Sequence, residues 1–292
     1  MSRISYVNGR YLPHRQARVH IEDRGYQFAD GVYEVIAIRH GRPIDYARHI
    51  DRLERSLDAI HLNWPVTPSV LAQVIRRVCH RNRVMDGIVY VQITRGQARR
   101  DHAFPARPVP SLVVTARSGR LPPAALLETG IDVITVPDLR WTRCDIKSIA
   151  LLPNVLGKQA ARDAGAFEAW QIDADGFITE GTSTNAWIID ASGRIRTRSL
   201  DRSILAGITR DVVFEVAARE GLAIAQEKFT LDEALSAREA FLTSTTSFVL
   251  PVVKIDGKPV GGGRPGPVSR RLAAAYAATI DAQMAGRAEA AT

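Results

Sequence analysis

Arg140-Trp141-Thr142-Arg143-Cys144-Asp145-Ile146-Lys147-Ser148-Ile149-Ala150-Leu151-Leu152 is the stretch around which the chain is organised, because it sets a lysine against an apolar run just before a predicted helix. Only five of the 39 lysines and arginines are lysines, and Lys147 is the first of them along the chain. A lysine that is partly removed from water can lose its proton and form a Schiff base with a carbonyl, which an arginine cannot do. Lys147 is therefore a candidate nucleophile. The alternative is a lysine that extends its amine into water at a domain boundary.

Composition is that of an ordinary soluble globular protein, with 292 residues, 46% of them hydrophobic and 24% charged. The N-terminus lacks the apolar core of a signal peptide and no apolar run could span a membrane, so we expect a cytoplasmic location. Cys79 and Cys144 show no metal-ligand spacing and are predicted to be free thiols, with no metal site. The net charge of +8 favours anionic partners. Because the arginines are not interleaved with aromatic residues, phosphorylated cofactors and acidic substrates are expected rather than nucleic acid.

The N-terminal half alternates between strand and helix patterns. Asn8-Gly9, between two β-rich runs, is a strong hairpin signal. Residues 22–31 are polar and punctuated by glycines, and no regular element is predicted there. Asp45 is predicted to cap a helix that continues to Ile60, and Thr67-Pro68 to start a second helix. Strands are expected over residues 32–38, 87–94 and 111–115.

The C-terminal half continues the mixture of strands and helices. Helices are predicted between Lys147 and Gly165, from Gly207 to Gly221, and over residues 268–283. Strands are expected over residues 168–172, 177–180, 186–189, 239–243 and 249–255. Residues 118–123 contain a glycine and two prolines and are predicted to link two domains, residues 1–120 and 121–292. The expected fold class is mixed α+β.

Several groups of the C-terminal half fit one cofactor. A helix that begins at Gly207-Ile208-Thr209 would offer free N–H groups to a phosphate, and Ser244-Thr245 would add hydroxyl donors. Glu180, at a strand end, is a carboxylate that could keep a ring nitrogen protonated. Together with a Schiff-base lysine, these are the groups that pyridoxal phosphate needs from a protein. The alternative is that Thr209 only caps its helix and the hydroxyl run only turns the chain.

Seven short segments occur in order along almost the whole chain and together resemble one family. They are Glu22-Asp23-Arg24-Gly25-Tyr26-Gln27-Phe28, Asp30-Gly31-Val32-Tyr33-Glu34-Val35, His49-Ile50-Asp51-Arg52-Leu53, Arg143-Cys144-Asp145-Ile146-Lys147-Ser148, Thr179-Glu180-Gly181, Gly207-Ile208-Thr209-Arg210-Asp211 and Thr243-Ser244-Thr245-Thr246-Ser247. This series resembles the D-amino acid aminotransferases of the pyridoxal-phosphate fold type IV group, which also contains branched-chain aminotransferases and aminodeoxychorismate lyase. One segment alone would be a weak signal, but seven in register are a strong one.

The resemblance implies a cofactor, pyridoxal 5'-phosphate, and a fold in which a smaller N-terminal α/β domain precedes a larger C-terminal domain with a pseudo-barrel sheet. Lys147 would form the internal aldimine and carry the proton between the substrate Cα and the cofactor, while Glu180 would hold the pyridine nitrogen protonated. Leu205 would pack against the ring. The phosphate would be held by Arg52, Ile208, Thr209, Ser244 and Thr245.

The resemblance also implies a trap for the substrate α-carboxylate, formed by Tyr33, Arg100 and His102. In the implied homodimer, the loop with Arg100 and His102 would reach into the neighbouring active site. A bidentate guanidinium with a second donor suits a carboxylate. The alternative is that both residues are solvated loop charges. The implied reaction transfers an amino group from D-alanine or D-glutamate to 2-oxoglutarate or pyruvate.

Two alternatives remain open. A lyase or an L-specific branched-chain aminotransferase of the same fold would share Lys147 and Glu180 but place the substrate carboxylate differently, and the Arg100–His102 pair argues against both. A cofactor-free binding protein, such as one for nucleic acid, is suggested only by the net charge. One departure from the family pattern is Phe248, which stands where that pattern has an acidic residue.

Overall fold

The computed structural model describes residues 3–119, 121 and 124–289, and these divide into two compact units. The first unit contains the described residues up to 119 together with Ile146–Ala150, and the second contains Leu121–Asp145 and the residues from Leu151 onward. The Lys147 segment, which we expected in the C-terminal domain, therefore belongs to the first unit. The division into domains 1–120 and 121–292 stays a prediction. Three residues of its expected linker, Arg120, Pro122 and Pro123, lie outside the described residues.

The first unit is a sheet covered on one face by helices. Its elements are β1 (Ile4–Val7), β2 (Arg10–Pro13), α1 (Arg24–Phe28), β3 (Gly31–Arg39), β4 (Arg42–Pro43), α2 (Tyr46–Ala59), α3 (Pro68–Arg81), β5 (Gly87–Thr94) and β6 (Ser111–Ser118). The strands form one antiparallel sheet in the order β2-β1-β6-β5-β3-β4. Leu53 and Leu57 of α2 and Leu71 and Val78 of α3 are buried in the core beneath this sheet. Burial of these side chains is the main force that fixes the two helices.

Local signals account for most of these elements. The Asn8-Gly9 turn joins β1 to β2 with φ values of 43° and 89°, which confirms the expected hairpin. The Thr67 side chain caps α3 by accepting a hydrogen bond from the backbone N–H of Val70. Asp45 is the N-cap residue of α2, as expected. Its backbone is left-handed, with φ of 51°, and its side chain makes no capping hydrogen bond, so the side-chain cap expected there is wrong.

The second unit combines a large mixed sheet with five helices among its described residues. Its elements are α4 (Ala124–Thr129), β7 (Ile131–Pro137), α5 (Leu152–Asp163), β8 (Glu168–Ile172), β9 (Ile178–Gly181), β10 (Asn185–Ile189), β11 (Ile195–Thr197), α6 (Ile208–Arg219), β12 (Ile224–Gln226), α7 (Leu231–Leu235), β13 (Glu239–Ser244), β14 (Phe248–Ile255), β15 (Lys258–Pro259) and α8 (Pro267–Glu289). The sheet order is β12-β11-β10-β13-β14-β7-β8-β9, and β15 pairs with β14. All the predicted strands and helices of this half are present.

The large sheet must curl, because β9 and β10 are neighbours in sequence but lie five strand spacings apart in the sheet. In a flat sheet, five spacings of about 4.8 Å would separate them by about 24 Å. The short connection between Gly181 and Asn185 can span at most about 14 Å. The sheet therefore bends until β9 and β10 approach each other, as expected for a pseudo-barrel.

Both cysteines, Cys79 and Cys144, are buried and free. Burial raises the pKa of each thiol to about 11, so both stay protonated at neutral pH. Within the described part of the chain, no helix combines the length and the apolar composition that crossing a membrane requires.

Candidate functional site

The Lys147 segment runs alongside the start of β3 in the first unit. The N–H of Tyr33 donates to the Lys147 carbonyl at 3.0 Å, and the N–H of Ile149 donates to the Gly31 carbonyl at 3.1 Å. These bonds fix the backbone from the lysine carbonyl to Ile149. The Lys147 Nζ then lies 4.3 Å from the centre of the Tyr33 ring. Two of the predicted site residues, the amine and the tyrosine, are thus brought together.

The Tyr33 ring is itself held by a neighbour that the sequence did not single out. Tyr33 stacks on Tyr90 with 5.6 Å between ring centres, and the Tyr90 hydroxyl donates to Gln92 Oε1 at 2.7 Å. Burial, and then the proximity of Tyr33, raise the pKa of Tyr90 to about 12. Tyr90 therefore stays a protonated donor at neutral pH, and the stack restricts the orientation of the Tyr33 ring.

Arg52 lies in a buried ion pair on α2. Its Nε donates to Glu34 Oε1 at 2.7 Å and its Nη2 to Glu34 Oε2 at 2.9 Å, while His49 Nδ1 lies 2.7 Å from the same Oε2. Burial alone would raise the pKa of Glu34, but the charges of Arg52 and His49 and their hydrogen bonds outweigh it and hold that pKa well below its usual range. The bidentate pair fixes the plane of the Arg52 guanidinium. Its role in phosphate binding stays a prediction.

Arg100 and His102 lie in the segment between β5 and β6, and both side chains are exposed. They meet on one aromatic ring: the Arg100 guanidinium lies 4.8 Å from the centre of the Phe28 ring, and the His102 ring lies 5.4 Å from it. The first unit thus contains two groups of predicted site residues. Lys147 lies with Tyr33, and Arg100 lies with His102.

In the second unit, Glu180 lies near the end of β9 and accepts hydrogen bonds from three sources. Asn185 Nδ2 donates to its Oε2 at 3.0 Å, the N–H of Leu205 donates at 3.1 Å, and Arg140 Nη1 donates to its Oε1. The carboxylate is almost completely buried. Its orientation is therefore fixed by the protein before any ligand is considered.

Arg140 is the cation of this cluster, although the sequence pattern assigned no role to it. Its Nη2 donates to Asp138 Oδ2 at 2.7 Å and to the Ser203 carbonyl at 2.9 Å. Burial alone would lower the pKa of Arg140, but the hydrogen bonds to Asp138 and the negative charge of Glu180 outweigh burial and raise it. Arg140 therefore remains a guanidinium cation that is bonded to two carboxylates.

Helix α6 begins without a side-chain cap. Its N-cap residue is Gly207, so the alternative that Thr209 caps this helix is wrong. A Cβ at position 207 would lie 2.1 Å from Asn185 Oδ1, so this close approach requires glycine. Ile208 and Thr209 follow in the first turn, where backbone N–H groups have no partner within the helix. This terminus has the donor set and the positive dipole end that suit a phosphate.

Ser244 ends β13, and Thr245 begins the turn that leads to β14. Ser244 Oγ accepts a hydrogen bond from the N–H of Ser247 at 3.0 Å, so this hydroxyl does help to turn the chain. Phe248 ends the turn with a left-handed φ of 52°, which is unusual for a bulky residue, and its ring packs 5.3 Å from that of Tyr276. The departure from the family pattern therefore has a packing role on α8.

Asn185 connects these parts of the second unit. Besides donating to Glu180 and contacting Gly207, it pairs with Thr243 in the neighbouring strand. The carboxylate of Glu180, the start of α6 and the hydroxyl turn are thus gathered around one asparagine. A carboxylate, a helix N-terminus and a pair of hydroxyls fit the ring nitrogen and the phosphate of pyridoxal phosphate. Asn185 could not be found from the sequence, because its contacts with Glu180 and Gly207 join residues that lie apart along the chain.

The chain is similar to aminotransferases in sequence. Residues 31–255 match the family model described as amino-transferase class IV. The chain is 40% identical over 267 residues to a D-alanine aminotransferase of Staphylococcus epidermidis, which covers 91% of this chain and 94% of that protein. It is 41% identical over 274 residues to a D-alanine aminotransferase of Bacillus licheniformis, which covers 94% of this chain and 95% of that protein.

The fold is similar to that of solved aminotransferases. The branched-chain amino acid aminotransferase of Escherichia coli superposes with a TM-score of 0.88 at 25% identity, covering 96% of this chain and 95% of that one. The branched-chain enzyme of Thermoproteus uzoniensis with norvaline gives a TM-score of 0.82 at 24% identity, covering 94% of each chain. A further branched-chain enzyme, solved with pyridoxamine 5'-phosphate, gives a TM-score of 0.87 at 24% identity, covering 96% and 94%. These similarities confirm the mixed α+β, fold type IV architecture that the sequence predicts. The chain belongs to the class IV aminotransferase family.

Proposed function

We propose that this protein transfers the amino group of a D-amino acid, D-alanine or D-glutamate, to a 2-oxo acid, 2-oxoglutarate or pyruvate, with pyridoxal 5'-phosphate as cofactor. One observation carries the proposal. The Arg100–His102 pair occurs on a chain about 40% identical, along more than nine-tenths of its length, to proteins named D-alanine aminotransferase. That pair offers a forked cation and a second donor, which is the chemistry that recognises a carboxylate.

When bound, pyridoxal phosphate supplies an electron sink that makes the Cα proton of an attached amino acid removable. Lys147 would hold the cofactor through its amine and then move this proton on its Nζ, because an amine beside the reacting carbon can act as general base and acid in turn. Glu180 would hold a proton on the ring nitrogen. The hydrogen bonds from Arg140 and Asn185 support that role, since they keep the carboxylate from rotating.

The remaining cofactor contacts are assigned to groups that bind anions or apolar surface. The phosphate would be held by the Arg52 guanidinium, by the N–H groups of Ile208 and Thr209, and by the hydroxyls of Ser244 and Thr245. Charge-assisted bonds of this kind are roughly twice as strong as neutral ones. Leu205, whose N–H already contacts Glu180, would pack its side chain against the ring.

Handedness follows from where the substrate carboxylate is held. Lys147 moves the proton at Cα, so the position of the carboxylate decides whether a D- or an L-amino acid presents its Cα–H to the amine. We assign the carboxylate to Tyr33, Arg100 and His102, which favours the D-amino acid. The 4.3 Å distance between Lys147 Nζ and the centre of the Tyr33 ring supports this assignment, because a carboxylate bound by Tyr33 would lie near the amine.

We also propose a homodimer in which the Arg100 segment serves the active site of the second copy. Exposed apolar side chains flank the segment, which favours burial against another protein surface. They are Ile21, Tyr26, Phe104 and Val109, each more than half exposed. Mixing Lys147→Ala with Arg100→Ala after reversible dissociation should restore about a quarter of the wild-type activity, because hybrid dimers then contain one intact site. No recovery from verified hybrids would contradict the shared site.

The reaction is tested by a panel of D- and L-amino acids against 2-oxoglutarate and pyruvate. We expect D-alanine or D-glutamate to donate, and Lys147→Ala to be nearly inactive in the same assay. A second candidate, transfer from branched-chain L-amino acids, is favoured by the fold similarity to branched-chain enzymes. Preference for L-leucine or L-isoleucine over every D-amino acid would replace the proposal by that candidate.

A further inference from the structure

Residues 98–110 contain no helix or strand, yet they include two members of the proposed carboxylate trap. One buried side chain reaches their backbone three times. The Arg24 Nη1 donates to the Asp101 carbonyl and, at 3.3 Å, to the Ala103 carbonyl, while Nη2 donates to the His102 carbonyl at 3.3 Å. Arg24 is only 3% exposed, whereas the three residues it contacts are exposed. Three consecutive carbonyls are therefore held by one rigid plane.

The guanidinium plane is itself anchored. Arg24 Nε donates to Asp30 Oδ2 at 2.8 Å, and Arg95 Nε donates to the same oxygen at 2.8 Å. The other two nitrogens of Arg95 donate to the carbonyls of Ile60 at 2.7 Å and His61 at 3.1 Å, just beyond the end of α2. The anchor therefore connects the loop to a packed helix of the first unit.

The same guanidinium also shares an aromatic surface with the trap residues. Arg24 lies 4.9 Å from the centre of the Phe28 ring, on which Arg100 lies at 4.8 Å and His102 at 5.4 Å. The backbone of the loop contacts Arg24 of α1, and the side chains of Arg100 and His102 contact Phe28 of the same helix. A loop with no secondary structure of its own is fixed in this way from outside.

We propose that Arg24 is the positioning residue of the carboxylate trap: anchored on Asp30, it holds the backbone of residues 101–103 so that Arg100 and His102 point in one direction. This inference rests on the proposed function. Lysine cannot replace Arg24, because the four contacts need the Nε, Nη1 and Nη2 donors of one planar group. A misdirected trap weakens binding of a substrate that carries a carboxylate, but leaves the reaction of an amine without a carboxylate unaffected.

The inference is tested with Arg24→Lys in the holoenzyme, using D-alanine and D-alaninol, which has no carboxylate. We expect KM for D-alanine to rise at least about tenfold with little change in kcat, while the rate of the first half-reaction with D-alaninol stays within about twofold of wild type. Asp30→Asn should give a smaller rise in KM, and it carries the same test if Arg24→Lys does not fold. Arg55→Lys, an exposed arginine on α2, is the matched control and should change neither value.

A second measurement does not depend on catalysis. Tryptic cleavage after Arg99 and Arg100 should be faster in Arg24→Lys than in wild type, because the loop has lost its external support. If Arg24→Lys changes neither KM for D-alanine nor the cleavage rate, the inference is overturned. It is also overturned if the variant reacts more slowly with D-alanine and with D-alaninol by the same factor. If wild type reacts with no D-amino acid, the proposed function fails, and the cleavage rate alone decides whether Arg24 positions the loop.

Discussion

Each unit buries a cluster of arginine and carboxylate side chains, and the two clusters have opposite excess charges. In the first unit, Arg24 and Arg95 both bond to Asp30, so two cations surround one anion. In the second unit, Arg140 bonds to both Asp138 and Glu180, so one cation lies between two anions.

The sign of the excess charge determines what each cluster can still bind. The two arginines of the first cluster share one carboxylate, so both have N–H donors left for neutral backbone carbonyls. Arg24 uses them on a loop and Arg95 on a helix end. The extra carboxylate of the second cluster favours a further positive group. Excess cation therefore suits positioning, while excess anion suits the protonated ring nitrogen that we assign to Glu180.

The largest effect is expected when the shared cation of the second cluster is removed. Arg140→Met removes the cation shared by the buried Glu180 and the largely buried Asp138, and should lower the free energy of unfolding by about 3–5 kcal/mol. Urea denaturation followed by circular dichroism measures the change. The double variant Asp138→Asn with Arg140→Met is the control and should recover part of the loss. A single variant as stable as wild type would show that Arg140 does not balance these charges.

The pH dependence of the same variant has a definite sign. In wild type, burial alone would raise the pKa of Asp138, but its bonds to Arg140 hold that pKa below the ordinary 3.8. The ionised carboxylate therefore contributes stability above pH 3.8 that is lost as the pH falls through and below that value. In Arg140→Met, burial remains and raises the pKa of Asp138. The difference in free energy of unfolding between wild type and the variant should therefore narrow as the pH falls from about 7 to about 4.5. A widening gap would contradict this account.

A comparable loss, in rate rather than stability, is expected when the excess anion is removed. Glu180→Gln leaves Arg140 paired with Asp138, so the melting temperature should move little. Amino transfer should slow on the order of a hundredfold to a thousandfold, equivalent to about 3–4 kcal/mol, because an amide cannot hold the ring nitrogen protonated. Single-turnover kinetics with D-alanine measures the rate, and Glu227→Gln, an exposed carboxylate of the same unit, is the control. An unchanged rate would remove Glu180 from the mechanism.

The smallest effect is expected at an exposed ion pair. Arg143 Nη2 lies 2.9 Å from Asp145, and both side chains are about one-third exposed. Water screens such a pair, so Arg143→Ala should leave the melting temperature unchanged within error. Differential scanning calorimetry against wild type checks this. If the melting temperature of Arg143→Ala fell by several degrees, burial would not explain why the two clusters contribute more stability than this pair.

Much of the fold could be predicted because its signals are local. The Asn8-Gly9 hairpin, the Thr67 cap and the alternating pattern of most strands need only neighbouring residues. Helix α1 was missed because five residues are too few to show helical periodicity. In the structure, the Asp23 side chain caps this helix by accepting a hydrogen bond from the N–H of Gly25, and the helix ends at Ala29 with a left-handed backbone.

The buried clusters could not be predicted, because their partners are distant in sequence. Arg95 bonds to Asp30 across 65 positions, and Arg140 bonds to Glu180 across 40. Arginines are usually exposed, so a sequence with many of them does not indicate which ones are buried. For the site, the resemblance supplied the residues, whereas the supporting contacts came only from tertiary structure.

The pairing of the Lys147 segment with β3 has a consequence for synthesis on the ribosome. The first unit is discontinuous in sequence, since Ile146–Ala150 joins the described residues up to 119. The N–H of Tyr33 finds its acceptor only when Lys147 has been made. At about 5–20 residues per second, the roughly thirty intervening residues delay this step by about 1–6 s. A nascent chain would therefore carry the start of β3 without this backbone partner for seconds, and the residue that supplies it is the proposed catalytic lysine.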